Sequence, residues 1–282
     1  MSLIVTKRHG PVRVAHAYFE TPEPLPRCDI LRLRQVPACV HGAGWSCTGF
    51  DTLLIDLTQS EESLWRSLHG KTRERIRRAL KRDELTVARS DDPDPSEVEI
   101  LARVYDRFAT ERQFGRADRE ALEQFRRAGA LSISRVAHPR HGDLAFHAIV
   151  VTPSRARGLL AVMQRSAVPP QEAPLLGRAN RLLFWEDLVH FQRRGIREYD
   201  FGGLYQKGDD AALARIAEFK LGFGGRVVTE YKCTGALTWK GRVVLKLRPG
   251  LERLRRLARR PEAAIPEEPE AVESPPAVET RT

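Results

Sequence analysis

The sequence predicts an α/β (α+β) fold: a mixed, mostly antiparallel sheet flanked by helices, with a short β-rich extension at the N-terminus. Three observations predict it. Segments 130–137, 144–151 and 158–165 alternate in polarity and are separated by the turn-like runs "HPRHGD" and "TPSRAR", the pattern of an antiparallel meander. A long helical period over 178–195 feeds a strand at 196–203, which makes a β-α-β crossover. Residues 1–59 are rich in Pro and Gly and carry short β-like runs at 14–20, 28–36 and 52–58.

The elements follow in order. Ser60 caps a helix with Glu61 and Glu62 in its first turn and Leu64, Trp65 and Leu68 on its apolar side; Gly70 separates it from the basic helix "KTRERIRRALKR" at 71–82. A strand at 85–90 and the turn "DDPDP" precede two helices, "SEVEILARVYDRFATERQ" and "DREALEQFRRA". In the meander, His147 sits inside the middle strand, where a histidine is more often a packed core residue than a ligand. The long helix turns Leu182, Trp185, Leu188 and Val189 inward and ends at Gly195. Asp209 and Asp210 cap a short helix that Gly222 closes in the left-handed conformation, and "RVVTEYKCTGAL" with "RVVLKL" forms a final strand pair.

Charge and cysteine usage narrow the function. The net charge is +10, and because the last 22 residues hold six Glu and one Arg, residues 1–260 carry +15. Two clusters, 71–82 and 246–260, each hold seven basic residues and one acidic, which suits a polyanionic partner or an anionic surface. Neither contains an aromatic residue for base stacking. No apolar run reaches the ~18 residues of a membrane span and no signal-peptide core opens the chain, so a cytoplasmic protein is expected. Cys28, Cys39, Cys47 and Cys233 form no CxxC pair and read as buried or incidental thiols, with no metal site among them.

Local pattern singles out several polar residues. Lys220 shares the inward stripe of the short helix with Leu213 and Ile216, either burying its stem and snorkelling or aiming its ammonium into a cleft. Asp200 ends a strand beside Gly202 and Gly203, a place where ligands collect in open α/β sheets; it is a candidate proton acceptor or a turn cap. Tyr205 and Lys207 follow in the loop, Phe219 flanks the lysine, and Arg73 and Arg77 share one helical face as phosphate contacts or solvated charges.

The stretches "LHGKTRERIRRALKRDELTV", "LLFWEDLVHFQRRGIREYDFGG" and "IAEFKLGFGG", with the final strand, resemble in order the FemAB family of peptidoglycan amino-acid transferases and the related acyltransferases of the GNAT superfamily, over about residues 60–245. The resemblance implies a GNAT-like catalytic domain at 85–247, preceded by a β-rich segment at 1–59 and a basic helical connector at 60–84. A basic helix at 248–260 and a disordered acidic, Pro-rich tail at 261–282 follow. It implies transfer of an acyl or aminoacyl group, from acyl-CoA or aminoacyl-tRNA, to an amine of a phosphate-bearing cell-envelope precursor, without a tightly bound cofactor. Lys220 and Asp200 then become catalytic, and Phe219, Gly203, Tyr205, Lys207, Arg73 and Arg77 contact substrate. Two features depart from the family: the chain has room for one full domain, and Pro169, Pro170 and Pro174 stand where related acyltransferases place the glycines of a CoA pyrophosphate loop. An acyl-CoA-dependent N-acetyltransferase acting in exopolysaccharide or small-amine modification, and an RNA-binding module without activity, are the competing expectations.

Overall fold

The computed structural model describes residues 3–112, 115–204 and 211–247. Its strands are β1 Leu3–His9, β2 Val12–Tyr18, β3 Ile30–Val36, β4 Trp45–Asp56, β5 Thr86–Ser90, β6 Leu131–His138, β7 Gly142–Val151, β8 Arg155–Met163, β9 Glu198–Gly203 and β10 Arg226–Ala236. Its helices are α1 Glu61–Ser67, α2 Gly70–Arg82, α3 Pro95–Arg112, α4 Arg119–Arg127, α5 Ala173–Arg193 and α6 Ala211–Leu221, and a further helix, α7, spans 239–247. All ten strands join one sheet in the order β1-β2-β3-β10-β4-β9-β8-β7-β6-β5. Only β2–β3 and β8–β9 are parallel, so the sheet is mixed and mostly antiparallel, as the sequence predicts. The N-terminal strands are part of that sheet.

Side-chain alternation divides the core between the two faces. Ile149, Ala156, Tyr199 and Phe201 point to one face and pack on α1, α2 and α5 together with Phe223. Ala148, Val150, Leu160 and Val162 point to the other and pack on α3 and α4. The sheet curls around this second face until β1 meets α4: the Gln124 side chain bonds both backbone groups of Thr6 at 2.8 Å, and Lys7 pairs with Asp118. That side chain occupies backbone groups of an otherwise unpaired edge.

Local chemistry explains the helix boundaries. Ser60 Oγ accepts from Ser63 N, and Asp118 caps α4 by accepting from Ala121 N. α5 begins at Ala173, five residues before the periodic stretch at 178, because Pro174 falls in its first turn, where a missing N–H has no helical acceptor to lose. Arg178 of α5 grips Asp83, just past the end of α2, at 2.5 and 3.0 Å.

Three expectations are corrected. "RVVLKL" lies in α7 and not in a strand: Val243, Val244 and Leu247 are exposed, and Leu245 packs on Val12, Val14 and Ile30. That is one inward residue in four, a helical stripe. Gly222 does not take the left-handed conformation, which Gly224 and Gly225 adopt instead at φ 79° and 89°; a side chain at 222 would meet Thr72 Oγ1 of α2 at 2.7 Å. Cys47 and Cys233 are not incidental thiols but a disulfide across the β4–β10 pair. Asp209 and Asp210, the basic helix at 248–260 and the tail at 261–282 lie outside the described residues.

Candidate active site at the split between β8 and β9

The parallel pairing of β8 with β9 stops after three residue pairs, the last being Arg157↔Asp200. Both strands are irregular at that level. β8 carries one extra residue against β7 between Gly158 and Leu160, and β9 carries one extra against β4 between Asp200 and Gly203, where Gly202 has φ 77°. Bulges bend strands and increase their twist, so two at one level part the ladder. A side chain at 202 would be strained by its backbone and would approach Arg157 Nη2 to 3.4 Å.

On the helical face of the split, Lys220 is 1% exposed, and its Nζ donates to the carbonyl oxygens of Phe201 and Gly203, both at 3.0 Å. These carbonyls, two residues apart, lie beyond the last β8–β9 pair, so the ammonium serves as donor where the ladder has run out. The lysine does not snorkel to water. Phe184, Phe201, Phe219 and Phe223 pack together beside it with centroids 5.0–5.7 Å apart, and the Arg181 guanidinium lies 4.6 Å over the half-buried Phe219 ring. Apolar walls strengthen the field of a charge held between them.

The opposite face at this level is polar. Asp200 is fully buried: Oδ1 accepts from Thr52 Oγ1 at 2.6 Å and Gly202 N at 2.7 Å, and Oδ2 accepts from Gln35 Nε2 at 2.6 Å. Gln35 also donates to Glu230 at 3.2 Å, so one amide bridges two carboxylates. Arg155 reaches Glu230 at 2.7 Å, Glu198 at 3.0 Å and Asp200 at 3.6 Å, with its guanidinium 5.2 Å over the Phe19 ring. Burial pushes the Glu230 carboxyl above its usual range and the Asp200 charge adds to this, against the opposing pull of Arg155. Phe19 and Gln35 both have left-handed backbones, at φ 69° and 58°. Such conformations cost ~1–3 kcal/mol each and persist where surrounding contacts over-determine them, as the two bonds of Gln35 do.

The structure thus brings Lys220, Phe219, Gly203 and Asp200 to one split. Arg73 and Arg77 are not drawn into it: Arg73 Nη1 donates to Arg66 O at 3.0 Å, and the Arg77 guanidinium lies 5.5 Å over the Trp65 ring, both against α1. Tyr205 and Lys207 lie outside the described residues. His147 is a satisfied core residue, with Nδ1 2.7 Å from Asp187 Oδ2 and Nε2 2.9 Å from Asn180 Oδ1. Gln35, Thr52, Arg155 and Glu230 escaped the sequence reading. The signal for one of them was present: within "RVVTEYKC", Glu230 falls on the same side of the strand as Val228 and Lys232, while its polar-network partners Gln35, Thr52, Asp200 and Arg155 all come from other strands.

No family model matches the chain, and no curated protein matches it. Solved structures do. FemX superposes with a TM-score of 0.60 at 12% identity, over 82% of this chain and 83% of FemX. The fold is FemAB-like. The C-terminal DUF2156 domain ascribed to a lysylphosphatidylglycerol synthetase of Agrobacterium fabrum gives 0.53 at 15% identity, covering 88% of this chain and 85% of that one. L-PGS from Bacillus licheniformis gives 0.51 at 11%, again over 88% and 85%. This chain therefore shares the fold of these proteins, and among its described residues no helix is long and apolar enough to cross a membrane.

Proposed function

We propose that the protein is an N-acyl or aminoacyl transferase of FemAB/GNAT type that acts on an amine of a phosphate-bearing, peptidoglycan-type cell-envelope precursor. The observation that carries this reading is the split itself, with a buried ammonium on one side and a buried carboxylate pair on the other. Amide formation from an ester or thioester needs a deprotonated amine and a stabilised oxyanion, and no nucleophilic side chain. In our reading the carbonyl enters the split, and the fixed charge of Lys220 offsets the oxyanion. The Asp200/Glu230 pair takes the proton from the attacking amine, with Gln35 and Arg155 holding both carboxylates in place. Phe219 and Phe184 keep water from the activated carbonyl, Gly203 lines the reaction centre, and Tyr205 and Lys207 contact the acceptor. Arg73 and Arg77 on α2 attract the phosphate-bearing partner at longer range.

For the donor, we favour aminoacyl-tRNA over acyl-CoA. Pro169 and Pro170 open a 3₁₀ turn at Pro170–Glu172 and Pro174 lies in the first turn of α5, so this approach lacks three backbone N–H groups that a pyrophosphate loop would offer. The test is transfer of radiolabel from aminoacyl-tRNA and, in parallel, from acyl-CoA to amine acceptors, using the wild type, Lys220→Met and Glu230→Gln. Transfer lost in both variants supports the reading. Label from acyl-CoA alone would move the protein to the N-acetyltransferase class, and tRNA binding without transfer by any donor would leave an RNA-binding module.

A further inference from the structure

Cys39, Cys47 and Cys233 place their sulfur atoms within 4.8 Å of one another. Cys47 and Cys233 face each other across β4 and β10 and are joined, whereas Cys39 is a free thiol in the loop between β3 and β4. The Val40 carbonyl oxygen lies 3.8 Å from Cys39 Sγ and 3.4 Å from Cys47 Sγ, so this loop folds directly over the strand pair. The sequence spacing hides the group, because Cys233 is 186 residues from Cys47.

We propose that, with the Cys47–Cys233 bond reduced, the three cysteines form a binding site for a thiophilic divalent cation of the zinc class. Reduction by a small-molecule thiol supplies two electrons and two protons: the Sγ–Sγ bond breaks, two thiols form, and the reductant leaves as its own disulfide. The cation then displaces the thiol protons and binds three thiolates. Sulfurs around a tetrahedral zinc ion with Zn–S of about 2.3 Å stand ~3.8 Å apart. Cys39 needs to move by ~1 Å to reach that spacing, and the two released sulfurs separate by side-chain rotation alone. Three soft sulfurs select zinc-class ions over magnesium or calcium, which take oxygen ligands. The bound ion ties the loop that follows Gln35 to β4 and β10, so its occupancy governs how rigidly the amide between Asp200 and Glu230 is held.

The test titrates Co²⁺ into the full chain under anaerobic conditions, before and after reduction with a phosphine, and follows thiolate-to-cobalt charge-transfer absorption; Zn²⁺ is then added to displace the cobalt. We expect the band to saturate at one equivalent in reduced protein only, with Cys39→Ser weakening binding by at least about tenfold and Cys28→Ser leaving it unchanged. Cys39 lies in a loop and outside the disulfide, so its serine variant retains the strand pairing. A reduced wild type without the band, a Cys39→Ser titration matching the wild type, equal binding by oxidised protein, or loss of the band in Cys28→Ser would each overturn the proposal.

Discussion

Replacing Lys220 by Met removes the ammonium that donates to the carbonyls of Phe201 and Gly203 and keeps a side chain of similar length among Phe184, Phe219 and Phe223. An unsatisfied buried polar group costs about 1–3 kcal/mol, which gives ~2–6 kcal/mol for two carbonyls. Relief from burying an ammonium offsets part of this, and a net loss of ~2–4 kcal/mol is expected. For a chain of this size that lowers Tm by roughly 5–15 °C. Turnover should fall by about 10²–10³ if the ammonium also faces the oxyanion. Thermal unfolding and kcat measured on one preparation check both parts. A variant melting within a degree of wild type would refute the clip at the split, and an unchanged kcat would remove Lys220 from the chemistry while leaving the clip intact.

Asp187 provides a test of pH dependence. Burial pushes its carboxyl up, but the hydrogen bond and charge of His147 and the charge of Arg89 outweigh this, and the group titrates below the usual range. A lowered carboxyl contributes stability above its unfolded value and loses it as pH falls through the folded one. Asp187→Asn should therefore be destabilised by ~3–5 kcal/mol near pH 7, with the gap in Tm to wild type closing only as pH falls below the usual carboxylate range; a gap independent of pH would contradict the ion-pair assignment. Gly225→Ala places a methyl against Ile55 Cδ1 and 2.5 Å from Leu54 O at φ 89°, and should destabilise by roughly 2–4 kcal/mol in denaturant titrations. The double variant Arg73→Ala, Arg77→Ala should keep its Tm within ~2 °C yet flatten the salt dependence of tRNA or precursor binding by a slope of up to about two, since both charges attract the phosphate-bearing partner in the proposed reading. An unchanged slope removes α2 from the interface.

Much of this architecture was legible in the sequence because its signals are local. Alternation marked the three strands of the meander, and Ser60 announced its helix through a cap. The motif residues drew attention to Asp200 and Lys220, but not to what surrounds them. Whether Lys220 snorkels or bonds carbonyls depends on where a neighbouring ladder ends, which is set by bulges in two strands and not by its own helix. Likewise, Asp200 reads as a turn cap from its neighbours, since Gly202 N is one of its donors, yet Gln35 and Thr52 reach it from 165 and 148 residues away. "RVVLKL" misled because β-branched residues favour strands in isolation, while its actual burial follows a helical stripe.

The polar cluster around Asp200 has one further consequence, for folding fidelity. Gln35, Glu230, Thr52, Asp200 and Arg155 come one each from β3, β10, β4, β9 and β8, five successive neighbours in the sheet. A slip of one residue on any of these strands sends its member to the opposite face, into the packing of Leu53, Tyr199 and Phe201, and leaves the remaining charges without their partner. The cluster thus works as a parity check on strand pairing: misaligned sheets are penalised at five places at once, and only the arrangement that parts β8 from β9 at Arg157 and Asp200 passes it.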